Sequence, residues 1–222
     1  MASCVPPDTA GLAFLNLDRL RTSEVYRTLP ANLLSILEPL QSVTQVLVAY
    51  NDKDLLIIGS GNFSTPPPGA VLLTARLVLG GSPAAIRAAT QQHRSGRPGA
   101  ETLWKRKPAG NEPIWAVLRG DAHLPLTGNG ANLNRLLHFT TFTTVRAEFN
   151  PGIHIAMRGE GATADSARQL EESLRAMVSL ARATSKAPDT ADMLDSVQIQ
   201  RENAEVKVDL QTTAKLLEGL FR

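Results

Sequence analysis

Two stretches of this chain match landmark for landmark at a spacing of 103 residues. Ala13, Leu15 and Asp18 recur as Ala116, Leu118 and Asp121, and Leu33 and Leu34 recur as Leu136 and Leu137. In each stretch a short apolar run reads as a strand, an acid follows, and helical spacing takes over. A hairpin and a capped helix then follow in both. Agreement in the order of elements and in their spacing predicts an internal repeat. The expected fold class is α+β: two related β-α-β-β(-β)-α units, with antiparallel sheet covered on one face by helices. The expected boundaries are an extended tail over 1–10, a first unit over 11–96, a linker over 97–113 and a second unit over 114–222. The spacing holds to Leu34 and breaks at the hairpin. A third hairpin and a last helix, 197–221, have no certain counterpart.

Local patterns fill in this frame. Residues 43–50 and 55–58 predict a hairpin around Asn51, Asp52, Lys53 and Asp54. Both faces are apolar: Val46, Val48, Leu55 and Ile57 on one side, Leu47, Ala49, Leu56 and Ile58 on the other. Such strands are ordinarily covered on both sides. Residues 139–149 and 153–157 predict a second hairpin, with Ala147 opposite Ile155, Val145 opposite Met157 and Glu148 opposite His154. Pro30 is expected to break the first helical run. Ser82 and Pro83 open a helix. Thr163 caps another, whose stripe is Ala167, Leu170, Leu174, Met177, Val178 and Ala181. Residues 188–194 read as a connector. The third hairpin, over 197–199 and 206–210, should show one face to water.

Composition narrows the function classes. At 43% hydrophobic and 20% charged residues, the 222-residue chain reads as an ordinary globular protein. Its net charge is +2, with 23 basic and 21 acidic residues mixed along the chain. Nucleic-acid binding usually needs a clustered basic face, so no nucleic-acid partner is expected. The one cysteine excludes an internal disulfide and a zinc site built on several thiolates. No apolar run approaches the ~18–20 residues of a membrane span.

No motif calls for a cofactor, a metal or a catalytic residue. None of the four histidines shares metal-ligand spacing, and no serine sits in a nucleophile elbow. The glycine-rich loop ahead of residue 131 lacks the Lys-Ser/Thr pair of a phosphate loop and the third glycine of a dinucleotide fingerprint. Exposed amides at such a helix start can still hold an anion. Asp121, His123, Thr127, Gly128, Asn129 and Gly130 are therefore the candidate ligand-binding residues, against a plain structural turn. Asp18 and Asp121 are expected to cap the helices that follow them. Trp104 with Lys105, Arg106 and Lys107 offers a basic-aromatic contact for phosphate or an acidic partner, against a solvated linker. Met1-Ala2-Ser3-Cys4 places small residues before a cysteine, as at the end of a lipoprotein signal. Cys4 is thus the candidate lipidation site, on a tail expected to be mobile.

Val5-Pro6-Pro7-Asp8-Thr9-Ala10, followed by a strand and Asp18-Arg19-Leu20, resembles the mature start of uncharacterised bacterial cell-envelope proteins, secreted or lipid-anchored, with tandem α+β units. The helix start Gly80-Gly81-Ser82-Pro83 and the string Leu124-Pro125-Leu126-Thr127-Gly128-Asn129 are similar to theirs. The resemblance implies a periplasmic or lipid-anchored location, with a cytoplasmic one as the alternative, and brings no activity with it. The leading expectation is a non-enzymatic envelope protein that binds a protein partner or ligand through a sheet face or a groove between units. The alternatives are a hydrolase or transferase with its site at 121–130, and a small-molecule carrier.

Overall fold

The computed structural model describes residues 1–29, 34–35, 37–126, 131–149, 152–185 and 188–213. The chain is α+β, with helices and antiparallel strands. Its contacts fall into two units. Met1–Thr22 and Ala31–Leu118 form one; Ser23–Pro30 and Arg119–Arg222 form the other.

The first unit holds β1 (Gly11–Asn16) and α1 (Leu17–Thr22). The next helix, α2 (Glu24–Thr28), is counted with the second unit. The helical run breaks at Ser23, whose hydroxyl accepts the Tyr26 amide and starts α2, and it ends again at Thr28, where Leu29 turns extended directly ahead of Pro30 as expected. β2 (Val43–Tyr50), β3 (Leu55–Gly61), β4 (Val71–Thr74) and β5 (Leu77–Gly81) follow. Then come α3 (Pro83–Ser95), α4 (Glu101–Arg106) and β6 (Ile114–Arg119). The strand order is β4-β5-β3-β2-β1-β6, and the neighbours pair antiparallel.

The β2–β3 hairpin closes with Tyr50 opposite Leu55. The Asn51 side chain accepts the Asp54 amide at 2.8 Å, and Asp52 takes a left-handed φ of 68°, a conformation that Asp tolerates. The two faces are as the alternation predicts, but their cover is not. Leu47, Ala49, Leu56 and Ile58 are buried, whereas Leu55 is 48% and Ile57 40% exposed. The expected double cover is corrected at β3: α3 packs on β3 and β5 and on a 3-10 turn at Ala2–Cys4, and Leu55 and Ile57 point to the opposite face.

Three expected boundaries also shift. Residues 1–10 are not an extended tail, since the Cys4 and Val5 side chains are fully buried and the Val5 carbonyl accepts the Gly99 amide. Residues 97–113 do not run as a free linker, since Leu103 of α4 is buried. β6 does not open a separate unit; it pairs with β1 from Gly11↔Leu118 to Leu15↔Ile114.

The second unit holds α5 (Ala131–Leu137), β7 (Phe142–Glu148), β8 (Ile153–Glu160), α6 (Ala164–Thr184), α7 (Pro188–Asp195), β9 (Gln198–Glu202) and β10 (Glu205–Thr212). Its strand order is β7-β8-β10-β9. The β7–β8 register has the predicted pairs Ala147↔Ile155, Val145↔Met157 and Glu148↔His154. Thr163 and Ser166 form a capping box that starts α6. Ala167 and Leu170 of α6 are buried against Leu136, Ile199 and Val206, with Leu174, Met177 and Val178 packed around them. Ala181, expected on this stripe, is exposed. The connector expected at 188–194 is helical, as α7. The helix expected around 216–221 lies outside the described residues. No described helix is long and apolar enough to cross a membrane.

Candidate ligand site

The sequence singles out the loop after β6, and its described half is a surface turn. Gly120 donates its amide to the Thr141 carbonyl at 2.9 Å. A Cβ at Gly120 would stand 1.7 Å from the Thr140 carbonyl oxygen, so only glycine fits there. Nε and Nη2 of Arg119 donate to the two carboxylate oxygens of Asp121, each at 2.8 Å. That hydrogen bonding, followed by the attraction of the same guanidinium, holds the Asp121 carboxyl below its ordinary range. Asp121 is thus an ion-pair partner and not a helix cap. The same holds for Asp18, which pairs with Arg21 at 3.3 Å while Asn16 accepts the Arg19 amide. His123 is exposed. The buried Asn134 side chain clasps both the amide and the carbonyl of Leu124. Thr127, Gly128, Asn129 and Gly130 lie outside the described residues, so Asp121 and His123 are the candidate ligand-binding residues whose surroundings are described.

A different site emerges within the first unit. Phe14 of β1 sits opposite Leu47 of β2 and opposite Trp115 of β6. Residues directly opposite on neighbouring strands project to the same face, so the three form one row across the sheet. The Phe14 and Trp115 rings stack with centroids 5.5 Å apart and planes 17° from parallel. Trp104 reaches the row from α4 and meets Trp115 edge-on at 6.0 Å. Both tryptophans of the chain are therefore in contact. The rings border a cavity of about 260 Å³, completed by Met1, Ala2, Leu47, Lys107, Asn111 and Glu112.

The polar part of this lining is built as deliberately as the apolar part. Lys107, three residues after Trp104 and just past the end of α4, places Nζ 5.7 Å from the Trp115 ring centroid. Glu112 is only 5% exposed. Its carboxyl lies directly against Gly110, where a Cβ would come within 2.4 Å of Oε1. The Arg19 guanidinium donates to the Asn111 carbonyl and holds the 110–112 segment. The indole N–H of Trp104 is buried with no acceptor among the described residues. Sequence reasoning marked Trp104 and the basic residues after it, but not Phe14, Trp115 or Glu112.

A second hollow, about 210 Å³, lies where Asp8, Tyr50, Asn51 and Asp54 meet α3. Its polar groups already bond one another: Asn51 donates to Asp8 at 2.8 Å, and Ser82 donates to Asp54 at 2.5 Å. Cys4, the candidate lipidation site, is buried with Sγ 3.7 Å from His93 Nδ1. Burial pushes its thiol pKa up, outweighing the chain amino group and Ser3. Among the described residues no group of three or more His, Cys, Asp or Glu side chains could hold a metal ion.

The fold and this site define an α+β protein with an aromatic-lined cavity on a sheet face. No protein-family model matches the chain, and no curated protein matches it. The fold is similar to that of TP0453, a Treponema protein, in its crystal form III: the TM-score is 0.57 at 10% identity, over 99% of this chain and 96% of that one. Crystal form I of TP0453 aligns over 99% of this chain and 95% of that one, with a TM-score of 0.48 at 11% identity.

Proposed function

We propose that this chain is a non-enzymatic bacterial envelope protein that holds a small ligand between Phe14, Trp104 and Trp115. One observation carries the proposal: both tryptophans and a phenylalanine converge on one cavity that also presents a lysine, a buried carboxyl group and a buried indole N–H. Small-molecule sites are mostly apolar hollows with a few placed polar groups. A cavity of roughly 150 Å³ admits benzene, so 260 Å³ has room for one substituted ring or a compact polar molecule. An unmet buried donor costs about 1–3 kcal/mol, a cost that a ligand oxygen accepting from Trp104 would remove.

The test uses the two indole N–H signals in a ¹H–¹⁵N spectrum. Phenol and benzylamine are expected to shift both signals saturably, and Trp115→Ala is expected to abolish the remaining indole's response. Saturable shifts elsewhere in the protein, with both indole signals unmoved, would move the ligand site away from this cavity.

The repeat belongs to the same proposal. Ala13 and Ala116, equated by the 103-residue spacing, are direct neighbours across β1 and β6. The flanking pairs Leu12↔Val117 and Phe14↔Trp115 exchange under that spacing. Within each unit a hairpin (β2–β3 or β7–β8) is followed by a second hairpin (β4–β5 or β9–β10). The later strand of that second hairpin, β5 or β10, pairs with the first hairpin, and the earlier strand lies outside it. On this reading the third hairpin, without a counterpart in sequence, is the partner of β4–β5 in the repeat. The envelope location is supported by the resemblance of 5–10, 80–89 and 124–129 to envelope proteins.

A further inference from the structure

We infer that the guest of the Phe14–Trp104–Trp115 cavity is an aromatic carbonyl compound, whose oxygen accepts the Trp104 indole N–H. This rests on the reading of the cavity as a ligand site and adds the chemical class of what fills it. Two observations carry it: the relative tilt of the three rings, and a buried donor with no acceptor among the described residues.

The rings select for shape. Phe14 and Trp115 lie 17° from parallel, and Trp104 stands at 69° to Trp115. A flat ring laid parallel to the first pair meets Trp104 at a steep angle. Offset-stacked and edge-to-face are the two arrangements that aromatic rings prefer, and each adds attraction beyond the area buried. The cavity of about 260 Å³ leaves space for a small substituent on that ring.

The donor selects for an oxygen. Backbone carbonyls of the lining are already taken up. Met1 and Ala2 accept the Cys4 and Val5 amides at 2.8 and 3.1 Å, Trp104 accepts the Lys107 amide at 3.3 Å, and Asn111 accepts from the Arg19 guanidinium. Glu112 has an interaction of its own, and an ammonium such as that of Lys107 is a donor only. An acceptor carried in by the guest therefore removes the cost of the buried N–H. A carbonyl conjugated to the ring suits this place. Its oxygen lies in the plane of the ring, and it brings no donor that would itself need a partner. The selection is by hydrogen bond, and no charge on the lining enters it.

The experiment titrates acetophenone and α-methylstyrene, its analogue with CH₂ in place of the oxygen, against the two indole signals. Acetophenone is expected to bind about tenfold more tightly, the size of one buried donor satisfied, and to move the Trp104 indole proton downfield. Trp104→Phe removes the donor and keeps a ring. In that variant, read on the Trp115 signal, the two compounds should bind alike. The comparison in the wild type decides the matter even where Trp104→Phe disturbs folding. If the two compounds bind equally well to the wild type, or if the preference for acetophenone survives in Trp104→Phe, the carbonyl assignment falls and the ligand-site reading stands. If neither compound, nor phenol or benzylamine, moves an indole signal of the wild type, both fall.

Discussion

At the scale of single residues, chemistry follows from what each side chain is pressed against. Trp115 is 3% exposed because β1 and β6 set it opposite Phe14, and Trp104 closes over it from a helix. Nothing in the residues around Ile114-Trp115-Ala116 announces this, since a tryptophan in a strand is compatible with any core. Cys4 shows the same dependence. Read in sequence it lies on a mobile tail; in the fold its thiol is buried beside His93. The thiolate is the reactive form of cysteine, and burial pushes the Cys4 thiol up. Cys4 should therefore react with an aromatic disulfide reagent at pH 8 at least about tenfold more slowly in the native protein than in urea, by the thiolate argument. Equal rates would show that the side chain is open to solvent. The same burial means that a lipid on this sulfur requires the Ala2–Cys4 turn to leave α3.

At the scale of elements, alternation and capping were legible, and cover was not. The register of β7 and β8 follows from placing Ala147, Ile155, Val145 and Met157 on one face, because a slip of one residue would mix the faces. The start of α6 follows from Thr163, and its buried stripe from Ala167 and Leu170. What joins α6 to its sheet is not visible in any local pattern. Glu171 of α6 accepts from Arg175 Nε at 3.1 Å and from Arg201 Nε of β9 at 3.0 Å. These hydrogen bonds, Arg175 first and then Arg201, hold the Glu171 carboxyl below its ordinary range. A carboxyl with a lowered folded-state pKa binds its proton more readily when unfolded. Its contribution is complete above the ordinary carboxylate range and is lost as pH falls through the lowered value. Wild type should accordingly melt higher than Glu171→Gln at pH 7, and the gap should close as the pH is taken below that value. A gap that is the same at pH 7 and pH 3 would show that this carboxylate is not linked to folding.

At the scale of the whole molecule, the expected envelope location leads to a direct measurement. In a bacterium producing the natural gene product, the protein is expected in the envelope fraction, and Cys4→Ser should release it from membranes if the cysteine carries a lipid. Recovery of the wild-type protein from the cytosolic fraction would end the envelope proposal. The sequence by itself determined the α+β class, the register of the β7–β8 hairpin, the caps at Ser82 and Thr163, and the match between Ala13 and Ala116. All of these depend on side-chain period and on residues within a few positions of one another. Only the tertiary structure decided that β6 pairs with β1, that β3 is covered on one face, and that Phe14, Trp104, Lys107, Glu112 and Trp115 border one cavity. Those residues stand up to about a hundred positions apart, and the contacts that join them are set by the pairing of distant strands, which no local period encodes.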